Sequence, residues 1–354
     1  MLGDNTNITN NVTITTEVPF FNNYEQLSGP IMISWDVTNA CNLKCLHCFN
    51  NSADNSVHAL NNELNTEEAM VLCDQIIELN PANVCLCGGE TLLRKDLSLI
   101  IKKITSKNIP VAIVTNGYLL DKIKALELKD AGVKTIQVSI DGSNPQTHDI
   151  FRNKKGSFKK ALNAVKILSD IKVRTCVSFC PNKMNIREFG DYVDMIMKTP
   201  CREIRIMPLL PMGRGLINFK NLEPSKEEYF DLCMNIKKKS IEYLENNLII
   251  DWGDPLEHIY LATLDKRKTP IVMEIGSTGD LEVSSYLPIK VGNVRQHSLK
   301  EYWDGGYDKI WDNQIVKKIA SRVKNLYDLS WLNTWNSKHI RIDILSSEVK
   351  RAIT

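Results

Sequence analysis

Short apolar runs alternate with amphipathic segments along the first two thirds of the chain. Ile31–Val37 is one such run, and its length predicts a buried strand. After it, Asn65 or Thr66 can cap a helix in which apolar residues recur at helical spacing. The alternation then predicts strands over 83–87, 110–115, 134–140, 172–179 and 203–207, with helices over 97–104, 119–129, 157–168 and 186–197.

Strands that alternate with helices in this way predict a parallel sheet with crossover helices. Every predicted strand ends in a polar or glycine-rich turn, and parallel α/β folds bind ligands at the carboxyl ends of their strands. We therefore expect four of these turns to meet on one face. They are Cys41–Cys48, Gly88-Gly89-Glu90, Thr115-Asn116-Gly117 and the segment from Ser139 to Gly142 that contains Asp141.

The first of these turns reads Cys-Asn-Leu-Lys-Cys-Leu-His-Cys, with thiols at Cys41, Cys45 and Cys48. Three thiolates so close together can bind one iron–sulfur cluster. A [4Fe–4S] cluster usually takes four cysteines, so three ligands leave one iron open to another molecule. The C-x3-C-x2-C spacing differs from the paired spacing of structural zinc sites. The alternatives are a zinc site or a group of buried free cysteines.

The cysteine run and the turns after it resemble the radical S-adenosylmethionine (radical SAM) superfamily, in which the open iron binds the amino and carboxylate groups of SAM. The resemblance covers Ile31 to about Arg214. It implies an α/β fold, a partial (β/α)6 TIM-like barrel that is open on one side. It also implies one [4Fe–4S] cluster and SAM as cofactors, and an external reductant such as flavodoxin or ferredoxin. The radical formed from SAM would remove hydrogen from a substrate.

The resemblance implies roles for single residues as well. The three thiols become the cluster ligands. Gly88 and Gly89 are expected to let the backbone approach the SAM amino group, and Glu90 to balance its charge, although Thr91 replaces the family's usual proline. Arg152 is expected to pair with the SAM carboxylate, with a surface charge as the alternative. The other expected SAM contacts are His47, Phe49, Thr115, Asn116, Ser139, Asp141 and Met207. A local hydrogen bond is the alternative for His47, and a core position for Met207.

The substrate side of the site is less defined by sequence. Some radical SAM peptide epimerases return a hydrogen atom from a cysteine thiol. Alternation along the fifth predicted strand places Cys176, Ser178 and Cys180 on one face. If that face is the inner one, Cys180 lies near the mouth of the barrel as a candidate donor. Cys233, on the following helix, is a second candidate. The alternative for each is a small buried apolar residue, which is also our interpretation of Cys73, Cys85 and Cys201.

Beyond Arg214 the pattern changes to a long charged helix over 223–247 and a β-hairpin over 271–286. The hairpin, with the Gly-Asn-Val that follows, resembles the SPASM or twitch extension of peptide-modifying radical SAM enzymes. That extension carries cysteines for auxiliary clusters, whereas this chain has Val283-Ser284-Ser285 and no cysteine after Cys233. We expect an N-terminal segment over 1–30, the barrel over 31–215 and a degenerate α+β extension over 216–354.

Composition excludes several other classes. The chain has 354 residues, of which 43% are hydrophobic and 24% charged, as in soluble globular proteins. A net charge of +2 indicates no affinity for nucleic acid. No apolar run approaches the roughly 20 residues of a membrane-spanning helix, and the first residues do not form a secretory signal. We therefore expect a cytoplasmic protein with free thiols, which binds neither nucleic acid nor membrane.

These observations predict an enzyme that modifies a ribosomally made precursor peptide by epimerisation or a related reaction at Cα or Cβ. Missing auxiliary-cluster cysteines favour redox-neutral chemistry. The segment before Ile31 is too short for the leader-binding domain of many such enzymes, so we expect leader binding by a separate protein or another surface. One alternative is small-molecule chemistry in antibiotic or cofactor biosynthesis. Another is a non-catalytic iron–sulfur scaffold or sensor, which would not need Gly-Gly-Glu or Arg152.

Overall fold

A computed structural model describes residues 28–53, 62–264, 270–334 and 340–345. Of the predicted N-terminal segment, only 28–30 fall within this part. Its strands are β1 (Met32–Thr38), β2 (Asn83–Gly88), β3 (Val111–Thr115), β4 (Thr135–Ser139), β5 (Arg174–Phe179), β6 (Glu203–Ile206), β7 (Ile249–Trp252), β8 (Val272–Ile275), β9 (Asp280–Glu282), β10 (Ile289–Asn293) and β11 (Ile340–Arg341).

The described helices begin and end close to the predicted positions in the first half of the chain. Helix α1 begins with a capping box, in which Asn65 and Glu68 each bond the other's backbone amide. The helices are α1 (Thr66–Leu79), α2 (Leu97–Thr105), α3 (Lys122–Asp130), α4 (Pro145–Phe151), α5 (Ser157–Asp170), α6 (Phe189–Met197), α7 (Gly213–Leu222), α8 (Lys226–Glu242), α9 (Glu257–Thr263), α10 (Leu299–Asp304), α11 (Gln314–Ala320) and α12 (Asp328–Thr334). None of these helices is long and apolar enough to cross a membrane.

All described strands belong to one sheet with the order β11-β10-β9-β8-β1-β2-β3-β4-β5-β6-β7. Strands β1 to β7 are parallel and stand in chain order, and β8 adds to the other side of β1, also parallel. Strands β8, β9 and β10 pair antiparallel, as the predicted hairpin requires. The parallel α/β sheet predicted from sequence is confirmed.

Three strands separate β2 from β6 in the sheet, yet Arg205 of β6 interacts electrostatically with Cys85 of β2. This proximity shows that the sheet is curved. Alternate residues of each strand, such as Trp35, Leu86 and Val177, are fully buried in the apolar core that includes the helices. The other residues face the interior of the partial barrel, which we call the lumen. Its residues include Ser34, Asp36, Cys85, Cys87, Ser139, Cys176, Ser178, Arg205 and Glu274.

Several elements differ from the sequence expectation, and α4 was not predicted at all. The helix predicted over 223–247 ends at Glu242, and β7 follows as a seventh parallel strand. Three of the four residues of β7 are exposed because it lies at the edge of the sheet, so it lacks the apolar alternation of an inner strand. Helix α7, which contains Gly213 and Gly215, was not predicted because glycine disfavours helix interiors. Strand β7 lies beyond residue 215 and extends the sheet of the barrel strands, while the domain boundaries stay a prediction.

Candidate active site

The turn after β1 carries the three thiols and contacts the turn after β2. We call residues 39–52 the cluster loop. Gly89 N donates a hydrogen bond to Thr38 O at 2.7 Å. A Cβ atom on Gly88 or Gly89 would lie 2.3 Å from Thr38 O or 2.2 Å from Ala40 O, and Gly88 has φ of +116°. The two glycines are therefore required for the close approach of these turns, in addition to the approach to SAM expected from sequence.

The three thiols are free and lie together in the cluster loop. Burial raises the pKa of the Cys41 thiol to about 11. Burial also raises the pKa of Cys45, against the opposing effect of Arg152, whose Nη1 lies 3.9 Å from Cys45 Sγ. Since iron binds thiolates, cluster binding would release these protons. Cys41 also interacts electrostatically with both Cys45 and Cys48, so the three thiols are near one another.

Two buried polar atoms beside the thiols have no hydrogen-bond partner among the described residues. They are Asn42 Nδ2 and His47 Nδ1. A buried polar atom without a partner costs about 1–3 kcal/mol, and native proteins rarely contain one. Asn42 Oδ1, by contrast, accepts from Asn116 Nδ2 at 2.8 Å. The residues present therefore fit a polar cofactor that contacts the cluster loop at these two atoms.

His47 provides a flat surface in the same loop. Its ring stacks on Phe151, with centroids 4.0 Å apart and planes 8° apart. Burial, and then the nearby Arg152, lower the pKa of His47 to about 3, so the ring is neutral at pH 7. A neutral ring in this position can contact a nucleobase, and the expected adenine contact of His47 stays a prediction.

Glu90 joins the ends of β2 and β3. Its buried carboxylate accepts from Thr115 Oγ1 at 2.6 Å, from Asn116 N at 2.8 Å and from Leu92 N at 3.2 Å. Burial raises the pKa of Glu90, and these three donors oppose that rise. The sequence-predicted residues Glu90, Thr115 and Asn116 are thus brought together, and Asn116 continues the connection to the cluster loop through Asn42.

Asp141 and Arg152 form a buried ion pair at the end of β4. Arg152 Nε lies 2.5 Å from Asp141 Oδ2, and the two side chains are 11% and 1% exposed. Asp141 Oδ1 accepts from Cys180 N at 2.8 Å, and Asp141 N donates to His148 Nδ1 at 3.0 Å. Burial opposes the ionisation of Asp141, yet the Arg152 guanidinium holds its pKa below the usual value. Arg152 therefore joins β4 to the cluster loop through Asp141 and Cys45, and it is not a surface charge.

Comparison with known proteins identifies the family. Residues 35–196 match the radical SAM superfamily. The chain is 33% identical to the Fe-coproporphyrin III synthase of Methanosarcina barkeri over 300 residues. These residues cover 83% of this chain and 72% of that protein. The chain belongs to the radical SAM superfamily. It is therefore an enzyme of the family that uses a [4Fe–4S] cluster and SAM, as the sequence predicted.

Two other proteins resemble this radical SAM enzyme over most of its length. The mycofactocin maturase MftC of Mycobacterium ulcerans is 25% identical over 311 residues, which cover 85% of this chain and 80% of that protein. The crystal structure of Streptococcus suis SuiB bound to the precursor peptide SuiA matches with a TM-score of 0.65 at 16% identity, over 88% of this chain and 72% of that chain. The likeness to SuiB confirms the TIM-like fold. The sequence likeness to MftC confirms the resemblance to SPASM/twitch-type maturases.

The remaining predicted site residues lie in different surroundings. Ser139 Oγ is 3.4 Å from Ser178 Oγ, on the lumen side of the sheet. Met207 follows β6 and is half-buried, so a fully buried core position does not describe it. Phe49 packs against Tyr286 of the extension, with ring centroids 6.2 Å apart.

The two candidate hydrogen-atom donors differ in position. Cys180 is buried against Phe151 and Leu209 and interacts electrostatically with Asp141, Arg152 and Cys45. Burial raises the pKa of the Cys180 thiol well above its usual value, so the thiol keeps its proton. Cys233 is exposed on α8, a helix that packs on α6 and β7. The structure therefore brings Cys180 to the site and does not bring Cys233 there. The donor role of Cys180 stays a prediction.

Sequence reasoning missed several residues that position the cluster loop. Arg214 Nε donates to Cys45 O at 2.9 Å, and Arg214 Nη1 donates to Ser52 O at 2.7 Å. Asn218 Nδ2 donates to Leu46 O at 2.9 Å. The available signal was the Met-Gly-Arg-Gly segment after β6, because glycines on both sides of an arginine allow close backbone approach.

Cys85 was predicted to be a core residue, but it faces the lumen together with Cys87. The reason is the two-residue period of β2, which buries Val84 and Leu86 on the helix side. Cys87 Sγ lies 3.4 Å from Ser34 Oγ and also hydrogen-bonds the Asp36 carboxylate.

The lumen contains three carboxyl groups that interact with one another. Burial raises the pKa of Asp36 to about 6, while its hydrogen bonds with Cys87 and Asn50 oppose the rise. Burial and the neighbouring Asp36 raise the pKa of Glu274 to about 7. Burial raises the pKa of Glu282 to about 7 as well, although Lys290 opposes the rise. A cavity of about 200 Å³ beside Glu274 is lined by the side chains of Asp254, Glu257, His258, Pro270, Ile271, Val272, Val283 and Trp311.

These carboxyl groups predict a pH effect on stability. The folded pKa of Glu274 and of Glu282 is about 7, whereas an unfolded glutamate has a pKa of about 4.3. Between these values the folded state binds more protons, so the free energy of unfolding falls as pH rises. We expect the Glu274→Gln/Glu282→Gln variant to lose less stability than the unsubstituted protein between pH 5 and pH 8, measured by urea unfolding. The exposed Glu78→Gln serves as control, and equal slopes for all three proteins would contradict the assignment.

Proposed function

We propose that this radical SAM enzyme removes a hydrogen atom from Cα or Cβ of a residue in a precursor peptide, with epimerisation at Cα as the simplest outcome. The cluster and SAM, when bound, supply a 5′-deoxyadenosyl radical. The chain would hold the cluster through Cys41, Cys45 and Cys48. Glu90, Asn116 and Arg152 offer a carboxylate, an amide and a guanidinium to the polar groups of SAM.

The observation that carries the choice of substrate class is the charge of the lumen. Asp36, Glu274 and Glu282 converge there, while Arg205 is a cation on the same face of the sheet and Lys290 lies beside Glu282. With pKa values of about 6 to 7, these groups are partly ionised at neutral pH. A tetrapyrrole with several carboxylates would therefore meet like charges in this space, which costs free energy. A peptide presents backbone amides, which donate hydrogen bonds to carboxylates, and cationic side chains, which pair with them. SuiB, with its bound precursor peptide, supports the same substrate class.

The extension supports a redox-neutral reaction. At the positions where SPASM and twitch extensions carry cysteines, this chain has Val283, Ser284 and Ser285. Ser284 Oγ lies 2.8 Å from His258 Nε2, and Ser285 hydrogen-bonds Glu274. Side-chain hydrogen bonds therefore occupy the space beside this strand. An epimerisation needs no second cluster, because the substrate loses one hydrogen atom and regains one.

The returned hydrogen atom needs a donor in the chain. Cys180 is our sequence-predicted candidate, and Cys87 is a second candidate that the structure adds, because its thiol faces the lumen beside Asp36. The thiol S–H bond breaks as the substrate C–H bond forms, and a sulfur radical remains on the cysteine. One electron from a flavodoxin or ferredoxin and one proton then restore the thiol. Asp36, with its pKa raised to about 6, can supply that proton.

The test is anaerobic reconstitution followed by reduction with SAM and candidate precursor peptides from neighbouring genes, in deuterated water. We expect about four irons per chain and formation of 5′-deoxyadenosine. The peptide should gain one deuterium at the modified residue and show no other change in mass. Cys180→Ala and Cys87→Ala separate the two donors, because only the true donor variant should release 5′-deoxyadenosine without incorporating deuterium. A peptide that loses hydrogen instead of exchanging it would contradict epimerisation.

A second candidate function has one observation in its favour. The chain shares 33% identity with a protein named Fe-coproporphyrin III synthase, so a tetrapyrrole is the specific small-molecule alternative. The same reconstituted enzyme is therefore incubated with an iron-containing tetrapyrrole precursor of Fe-coproporphyrin III, the product in that protein's name. Its consumption together with 5′-deoxyadenosine formation, and no reaction with any peptide, would replace the peptide proposal.

A further inference from the structure

Two parts of the chain contact the start of the cluster loop: the segment at Glu63 and the hairpin turn of the C-terminal extension at Ser277. Glu63 accepts from Thr38 Oγ1 at 2.8 Å and from Asn39 N at 2.5 Å. Ser277, in the hairpin turn between β8 and β9, accepts from Asn39 Nδ2 at 2.9 Å. Leu64 N donates to Ser277 O at 2.9 Å. Asn39 is thus held from two sides, only two residues before the first cluster thiol.

One guanidinium holds this segment in place. Arg295 Nη2 donates to Asn62 O at 3.1 Å and to Glu63 O at 3.4 Å. Arg295 Nε and Nη2 also bind the Glu68 carboxylate of α1 at 2.6 and 2.9 Å. Arg295 Nη1 donates to Thr278 O at 3.0 Å, in the same turn as Ser277. A single side chain therefore connects the hairpin turn, the Glu63 segment and α1, and its planar set of donors is suited to several acceptors at once.

Arg295 is itself fixed by the motif that precedes it. Asn293 Oδ1 accepts from Arg295 N at 3.0 Å, and Asn293 Nδ2 donates to Thr278 O at 3.0 Å and to Asp280 Oδ1 at 2.9 Å. Asp280 also pairs with Lys290, whose Nζ lies 2.6 Å from Asp280 Oδ2. The Gly-Asn-Val segment that precedes Arg295 is thus a rigid base for the guanidinium.

We propose that Arg295 is a positioning residue for the iron–sulfur site, acting through Glu63 and Asn39 on the backbone that leads into Cys41. The contact supplies a reason for the extension to persist without auxiliary-cluster cysteines, because the hairpin and the Gly-Asn-Val-Arg segment hold the cluster loop at its first residues. The proposal goes beyond the proposed function, since it does not depend on which substrate the enzyme uses.

The first test compares Arg295→Ala with Arg174→Ala in the full-length protein before cluster loading. Arg174 is a matched control, because it also binds a glutamate with two donors, Glu203 at 2.7 and 2.9 Å, but at the start of β5, the opposite end of the strands from the site. We expect hydrogen exchange of the Asn39, Ala40 and Cys41 amides to rise at least tenfold in Arg295→Ala and to stay unchanged in Arg174→Ala. Equal exchange in the two variants would overturn the proposal.

The second test uses the loaded protein and needs no substrate. The electron paramagnetic resonance signal of the reduced cluster with SAM should broaden or shift in Arg295→Ala and in Glu63→Gln, because the cluster ligands are then held in more than one orientation. Arg295→Lys keeps the charge beside Glu68 but cannot reach all acceptors, so its signal should be intermediate. An unchanged signal in Arg295→Ala, with iron content equal to that of the unsubstituted protein, would mean that Arg295 only stabilises the extension.

Discussion

Replacing Cys41, Cys45 and Cys48 together by alanine should remove all bound iron and all formation of 5′-deoxyadenosine. In the family, the cluster is the source of the electron that cleaves SAM, so the loss is complete and not partial. The fold should persist, because the cluster loop is also held by Gly89, by Arg214 and by Glu63 without using a thiol side chain. Iron content, the absorbance of the cluster and far-ultraviolet circular dichroism measure these three expectations.

The control for this variant is Cys233→Ala, which removes the exposed thiol on α8. It should keep about four irons per chain and the full rate of SAM cleavage. Single substitutions of the three thiols should each abolish SAM cleavage, even where some iron remains, because a cluster with two protein ligands is not held in a fixed orientation. Full cleavage activity in any of the single variants would contradict the assignment of that cysteine as a ligand.

The sequence predicted the elements that follow a repeating local rule. The apolar runs of β1 to β6 and the polar turns after them were located to within a few residues, because buried parallel strands read as continuous apolar segments. The proximity of Glu90, Thr115 and Asn116 followed from strand order alone, because neighbouring parallel strands have their carboxyl ends on the same edge of the sheet. The family resemblance then added roles that no pattern supplies, such as the binding of SAM.

The features that sequence missed depend on contacts between distant segments. Strand β7 is short and mostly exposed, so it carries no apolar period, and only its pairing with β6 identifies it. Arg214 and Arg295 look like ordinary surface charges until the backbone carbonyls that they bind are known. Cys85 was wrongly predicted to lie in the core because cysteine is often buried. The two-residue period of β2 instead turns its side chain toward the lumen.

Replacing Asp141 by asparagine should cost on the order of 3–5 kcal/mol of unfolding free energy, the range expected when a buried ion pair loses one partner. The Arg152 guanidinium would remain beside Cys45 without its counter-charge. The pKa of Asp141 is lowered in the folded protein, so its contribution is present above the unfolded value of about 3.9 and is lost as pH falls through the folded pKa. The deficit of Asp141→Asn in urea unfolding should therefore be full at pH 7 and shrink below pH 4.

The exposed pair of Arg174 and Glu203 gives the comparison, because the Arg174 side chain is 58% exposed and solvent weakens the attraction. Glu203→Gln should cost no more than about 1 kcal/mol. Adding Arg152→Met to Asp141→Asn should recover part of the lost stability, since the uncompensated charge is then removed. Asp141→Asn should also lose SAM cleavage, because Arg152 is no longer held in place, and the double variant should not recover it, because the guanidinium that reaches Cys45 is then absent. Recovery of both by the double variant would mean that Arg152 serves the fold alone, and recovery of neither would mean that Asp141 acts chiefly through the Cys180 amide that it binds.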